Sequence, residues 1–311
     1  MFVFSWFRGL TTISPRRGAV AAAVLLLLAV VASGGALAQG RGQEPPTNSA
    51  ATQPAMSAAL VKTGLYVISG GGGNSLLRFS ANGLILVDGQ LPGQYAPFMA
   101  QVRSISRITD LPVRFLILTD HHPEHAGNNA EFLAKGVRII AQENAGRNLA
   151  ARLPAGGQVS PAITFDREHT VRLGGIEARL LHAGRAHTNG DTIVYFPNLK
   201  VVALGHLLAE PPEPDFKSGG SLIGWGAALG EVLKLDFDVA VPARGAPVGR
   251  ADVERFKQKI ETLTSRAAAL VKSGVRKDQL MARLDTADLG WRFNVAGDDL
   301  DRFYAELSPA R

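Results

Sequence analysis

From about residue 60 onward, apolar and polar positions fall into short blocks. Leu65–Ile68, Ser75–Phe79 and Leu84–Val87 are brief apolar or alternating runs separated by Gly and Asn, the pattern of strands in a meander. Gly70–Gly73 suits either a flexible hairpin tip or a flap that approaches a ligand closely. It lacks the Gly-Lys-Ser/Thr ending of a phosphate loop, so no nucleotide site is expected there. Ala96–Ser106 reads as a helix. Val113–Leu118 is a continuous apolar run bounded by Pro112 and Thr119-Asp120, hence a buried strand. Helices are expected at Asn129–Ala134 and Asn144–Leu153, with a strand at Val137–Ala141 between them. More strands are expected near Ile163 and at His169–Leu173, Ile176–His182, Thr192–Phe196, Val201–Leu204 and Asp238–Val241. Val253, Phe256, Ile260, Leu263, Ala267 and Leu270 then recur at helical spacing, with Glu254, Lys257, Lys259, Glu261 and Arg266 on the other face. Two groups of strands, with helices between and after them, predict an α/β sandwich in one domain over 60–311, closed by C-terminal helices.

The N-terminus reads as an address. Arg16-Arg17 precede an uncharged apolar run, Ala19–Ala32, which Ser33-Gly34-Gly35 breaks. Ala36-Leu37-Ala38 offers the small-x-small pattern that a signal peptidase reads. The run is short for a membrane span, which needs about 20 residues. Residues 1–38 are therefore expected to be a signal peptide. The mature protein would be periplasmic or secreted, with no stable membrane insertion; an uncleaved anchor is the alternative. The Arg pair suits a twin-arginine export route, but Gly18-Ala19 behind it does not continue that pattern. Residues 39–59, polar and carrying Pro45, Pro46 and Pro54, read as a disordered linker.

Composition narrows the chemistry. The 311 residues are 46% hydrophobic and 19% charged, a globular balance. There is no cysteine, which excludes disulfides, a thiolate nucleophile, a Cys-type zinc finger and an iron–sulfur cluster. The formal charge is +6, but residues 1–38 hold three of the 33 basic residues and no acid. The remainder is close to balanced, so no nucleic-acid partner is expected; a small-molecule substrate is.

Four of the seven histidines fall in two short stretches. Asp120-His121-His122-Pro123-Glu124-His125-Ala126-Gly127-Asn128 follows the buried strand, and His187-Thr188-Asn189-Gly190-Asp191 lies between two later strands. Imidazoles and carboxylates gathered at strand ends are what a borderline metal ion needs.

These stretches resemble the metallo-β-lactamase fold superfamily of hydrolases. Its His-x-His-x-Asp-His followed by Gly-Gly-Asn corresponds to Asp120–Asn128, and its His-Thr-x-Gly-Asp is intact at His187–Asp191. Its strand ending in Gly-Asp appears as Ala203-Leu204-Gly205-His206, its Pro-Gly-His-Gly turn as Pro242-Ala243-Arg244-Gly245, and its Ile-Asp-Gly as Val87-Asp88-Gly89. The likeness spans roughly residues 60–250 in order. It implies a four-layer αββα sandwich with the site at the sheet rim.

The resemblance also assigns roles, and the departures from it change them. Family members usually hold two metals bridged by the Gly-Asp carboxylate. Carried over, Asp120, His122 and His187 fall at the first site and Glu124 and His125 at the second. The bridging position is His206 and the late histidine is Arg244. A neutral imidazole has one free lone pair and cannot bridge as a carboxylate does. Arg244 is a permanent cation without a lone pair. One metal ion is therefore expected in place of two, held by Asp120, His122 and His187. His206 completes that set or a Glu124–His125–His206 alternative. Zn²⁺ suits the mixed donors, with Fe and Mn left open. Glu124 is the expected catalytic group, orienting or deprotonating water, and Arg244 the group for a substrate carboxylate or phosphate. Asp88, Thr188 and Asp191 are expected to orient the ligands. His121 is expected to point away from the metal, His169 and His182 to be structural, and the Gly224-Trp225-Gly226 loop and Trp291 to line a cleft or fill core.

Three functions fit. The first is a metal-dependent hydrolase attacking the carbonyl of an amide, lactone or thioester. The second is a degenerate relative that binds a ligand or metal without turnover. The third is a metal-free sandwich in which Asp120–Arg244 and Glu124–Arg244 are salt bridges.

Overall fold

The computed structural model describes residues 55–106, 111–152 and 160–308. The expected signal peptide and residues 39–54 of the expected linker lie outside them. The first sheet is built from β1 (Ser57–Lys62), β2 (Leu65–Gly70), β3 (Gly73–Ser80), β4 (Gly83–Val87), β5 (Val113–Ile117), β6 (Arg138–Gln142) and β7 (Ile163–Phe165), in that spatial order. β1 to β4 are an antiparallel meander, and β4 to β7 run parallel. Parallel neighbours need crossovers; α1 (Tyr95–Ile105), α2 (Pro123–Ala126), α3 (Asn129–Ala134) and α4 (Glu143–Arg152) lie in them. β1 corrects the linker boundary: Ser57, Ala58 and Ala59, assigned to the linker, pair with Ser69, Ile68 and Val67.

The second sheet has the order β13-β12-β11-β10-β9-β8. Its strands are β8 (Glu168–Leu173), β9 (Ile176–Leu181), β10 (Ile193–Phe196), β11 (Val201–Gly205), β12 (Val239–Pro242) and β13 (Val248–Gly249). Only β11 and β12 pair in parallel here. The helices α5 (Leu222–Val232), α6 (Arg250–Lys272), α7 (Lys277–Arg283) and α8 (Gly297–Leu307) complete the described elements, apart from three short 3₁₀ turns.

The period of two in the strands sorts the core into layers. Ile85 and Val87 of β4 join Ile117, Ile140, Val194, Phe196 and Val241 between the sheets. Their neighbours Leu84 and Leu86 face outward, with Phe98, Val102 and Phe132 of α1 and α3. On the far side, Val202, Leu204 and Ala240 pack against Trp225 of α5, Phe256 and Ile260 of α6 and Phe303 of α8. The result is the four-layer αββα sandwich. β4 and β11 are buried on both faces, which explains their unbroken apolar sequences.

The Gly224-Trp225-Gly226 segment is not a loop. It lies inside α5, and Trp225 is fully buried, donating its indole N–H to the Leu207 carbonyl at 3.0 Å. It is a core residue and lines no cleft. Trp291 is partly buried against the same core.

The core face of α6 supports the outer layer. Replacing Phe256, which is 1% exposed, with Ala should cost about 3–5 kcal/mol in urea unfolding. Glu254→Ala on the solvent face, which removes only an exposed pair with Arg250, should change stability by less than about 0.5 kcal/mol. Similar losses in both would mean that α6 does not pack as described.

Candidate metal centre

The site is built from the C-terminal ends of β4, β5, β11 and β12, which reach one rim of the two sheets. β4 runs into Asp88, β5 into Thr119–His125, β11 into His206 and β12 into Arg244. His187 arrives on the loop before β10. Gly205 lets the sheets meet here: its φ is +51°, and a Cβ there would lie 2.5 Å from Thr119 Oγ1. A larger residue would press on Thr119, the neighbour of Asp120.

The Asp120 carboxylate is the centre of the cluster and is 1% exposed. Oδ1 accepts from the His122 backbone N–H at 2.7 Å and lies 3.1 Å from His122 Nδ1. Oδ2 lies 2.8 Å from His206 Nδ1, 3.4 Å from His187 Nδ1 and 3.5 Å from His125 Nε2. One donor atom from each of Asp120, His122, His187 and His206 lies within 4.8 Å of the others. Glu124, His125 and His206 form an overlapping set of the same kind. His125 turns its Nδ1 to Asp88 at 2.9 Å, which leaves Nε2 facing the cluster, 3.0 Å from His206 Nδ1.

The charges are strongly coupled. Burial opposes ionisation of Asp120, but His125 and His206 outweigh it and hold the carboxyl well below its usual range. Burial likewise opposes charge on His206; Asp120 and Glu124 overcome it and raise the imidazole to about 10. For His122, burial is outweighed by hydrogen bonds to Asp120 and Asp215, and its value rises to about 9. Burial would raise Glu124, yet the hydrogen bond with His206 brings it to about 2.

The other expected residues are placed as follows. Asp88 accepts from both the backbone N–H and the hydroxyl of Thr119, each at 2.8 Å, as well as facing His125. Asp191 accepts from the Thr188 hydroxyl at 2.6 Å and lies 3.6 Å from His187 Nδ1, so these two brace the loop that carries His187. Arg244 Nη2 donates to Glu124 Oε1 at 2.7 Å, and its Nε donates to the Gly72 carbonyl at 3.3 Å. The glycine hairpin between β2 and β3 is thus fastened to the site by Arg244. No Asp120–Arg244 pair forms among the described residues. His121 stands outside the Asp120 cluster; burial lowers it to about 4, and its Nε2 is 3.1 Å from Ser218 Oγ. His169 stacks on Phe165, and His182 Nδ1 lies 2.8 Å from the Asp191 carbonyl. The sequence pattern gives no sign of one further neighbour, Asp215, whose Oδ2 lies 3.2 Å from His122 Nε2.

The family model for the metallo-beta-lactamase superfamily matches residues 68–244. The chain belongs to this superfamily. It is 25% identical over 228 residues to the 2,4-dinitroanisole O-demethylase subunit alpha of Nocardioides sp. (strain JS1661), covering 73% of this chain and 69% of that one. It is 24% identical over 142 residues to metallo-beta-lactamase IND-1 of Chryseobacterium indologenes, covering 46% of this chain and 57% of that one. Its fold is similar to the metallo-beta-lactamase from Pontibacter korlensis, with TM-score 0.57 and 18% identity over 66% of this chain and 99% of that one. It is also similar to FIM-1 from Pseudomonas aeruginosa in its mono-zinc form, with TM-score 0.55 and 20% identity over 67% of this chain and 95% of that one.

The superfamily binds metal ions, and the Asp120 cluster suits one. His187 Nδ1 is buried with only long contacts, 3.4 Å to Asp120 Oδ2 and 3.6 Å to Asp191 Oδ1, and a bound ion would satisfy it better. Three imidazoles and a carboxylate are borderline donors of the kind zinc takes. Beside them a cleft of about 120 Å³ is lined by His206, Leu208, Glu210, Glu213 and Arg244.

Because His122 and His206 are held protonated at neutral pH, metal entry must displace protons. Zinc titrations in buffers of different ionisation enthalpy should show net proton release, and affinity should rise from about pH 6 to about pH 8. Proton-neutral binding with a flat pH dependence would show that these imidazoles are not both ligands and protonated in the metal-free protein.

Proposed function

We propose that this protein is an exported, mononuclear metal-dependent hydrolase acting on a small molecule with an amide, lactone or thioester carbonyl. The observation that carries this reading is the convergence of Asp120, His122, His187 and His206 on one buried point at the open rim. Zn²⁺ is the ion we assign, with Fe and Mn as alternatives the same donors accept. When bound, it supplies Lewis acidity and lowers the pKa of a coordinated water.

One ion is favoured over two by the Arg244–Glu124 pair. The guanidinium stands where the superfamily's second ion takes a histidine, and it neutralises the carboxylate that ion would need. Glu124 then has a different use. It is partly accessible beside the cleft, its Oε1 faces His206 Nε2 at 3.3 Å and accepts from Arg244 Nη2 at 2.7 Å, and its accessible side is open to a water. Held near 2, it is a weak base and works by aiming water at the carbonyl. Arg244, with its side chain 57% exposed, has surface left to pair with an anionic group on the substrate. Export is supported by the N-terminal signal pattern alone.

A panel of a β-lactam, a lactone and a thioester tests the carbonyl reading, with 2,4-dinitroanisole added because a relative bears that name. Turnover should require metal. Glu124→Gln, which removes the charge that orients the water, should lower kcat by about 100-fold while keeping the metal. If Glu124→Gln retains full turnover, Glu124 has no part in the reaction; if no substrate class is turned over by the metal-loaded protein, the non-catalytic binder is the better reading.

A further inference from the structure

The loop between β11 and α5 brings Asp215 onto the side of His122 that faces away from Asp120. His122 is held between two carboxylates: Nδ1 is 3.1 Å from Asp120 Oδ1, and Nε2 is 3.2 Å from Asp215 Oδ2. Asp215 is itself tightly placed. Its Oδ1 accepts from the Ser218 backbone N–H at 3.0 Å and caps the short turn Phe216–Ser218. Its own N–H donates to the His187 carbonyl at 2.8 Å, and its carbonyl accepts from Gly220 N–H at 2.8 Å. One residue therefore touches two members of the Asp120 cluster, His187 through the backbone and His122 through the side chain.

His121, His122 and Asp215 are close enough to suggest a metal ion of their own. Two features oppose that. A neutral imidazole has one free lone pair, so His122 serves one ion. Arg152 Nη2 also lies 3.4 Å from Asp215 Oδ2 and would repel a cation there.

We infer that Asp215 is a positioning residue. It accepts the Nε2–H of His122, fixes that tautomer, and so presents the Nδ1 lone pair to a metal at the Asp120 cluster. The inference rests on the metal site proposed above. The physical reason is general: a ligand imidazole whose second nitrogen donates to a carboxylate is held in one tautomer and one orientation, and removing the carboxylate typically weakens metal binding by 10–100-fold.

Asp215→Asn separates this role from a merely structural one. Asn caps a turn about as well as Asp, so with its oxygen on Ser218 N–H the fold and melting temperature should hold. Its amide NH₂ would then face Nε2, favour the Nδ1–H tautomer, and remove the lone pair from the metal side. The zinc Kd, measured by competition with a chelator, should rise by about 10–100-fold in Asp215→Asn. A capping role alone leaves it unchanged. Independently of any variant, long-range ¹H–¹⁵N spectra of the zinc-loaded wild type should show His122 protonated at Nε2. Wild-type zinc binding with an unchanged Kd in Asp215→Asn, or His122 protonated at Nδ1, overturns the inference while leaving the metal site standing. Absence of zinc binding by the wild type overturns both.

Discussion

A carboxylate with no access to water must be neutralised where it sits, and Asp120 imposes that requirement on the whole rim. It is 1% exposed and remains ionised because imidazoles from three separate chain segments converge on it. His122 and His125 come from its own strand-to-helix turn, His187 from the loop before β10, and His206 from the end of β11. The two sheets must therefore meet in one register. Gly205, which cannot carry a side chain beside Thr119, and Asp88, which ties Thr119 to His125, are consequences of the same packing. A cluster that is self-neutralised without metal and donor-rich with it can exchange protons for an ion.

Departures from the superfamily pattern compensate one another chemically. On the proposed one-ion reading, His206 and Arg244 stand in for the bridging carboxylate and the late histidine that would hold a second ion. The pairing of Arg244 with Glu124 fills that space with a salt bridge. The same guanidinium reaches the Gly72 carbonyl, so the glycine hairpin is fastened to the site through the residue that replaces a ligand.

Much of this was legible in the chain itself. Strands buried on both faces announced themselves as unbroken apolar runs, and α6 by its spacing of Val253, Phe256, Ile260 and Leu263. The two His-rich stretches marked the rim because short motifs keep their ligands close in sequence. Other parts carried no such signal. α5 reads as a loop because it contains Gly224, Gly226 and Gly230, yet Gly226 and Gly230 let it lie close to α6, where a Cβ on Gly226 would meet Glu261 Cγ at 3.2 Å, and Gly224 lies against the Arg185 carbonyl. β13 has two residues, too few for any periodicity. α8 is the exception: behind its opening Gly297-Asp298-Asp299, Leu300, Phe303, Tyr304 and Leu307 recur at helical spacing and pack on the core. Asp215 lies 93 residues from His122 in a loop without a motif, and only the turn it caps with Ser218 hints that it is held in place.

If the rim holds one ion at Asp120, His122, His187 and His206, elemental analysis of purified protein should find one tightly held equivalent of metal per chain, lost in His187→Ala. Two equivalents would contradict the argument from Arg244 and His206, and none after incubation with Zn²⁺, Mn²⁺ and Fe²⁺ would contradict the metal centre altogether.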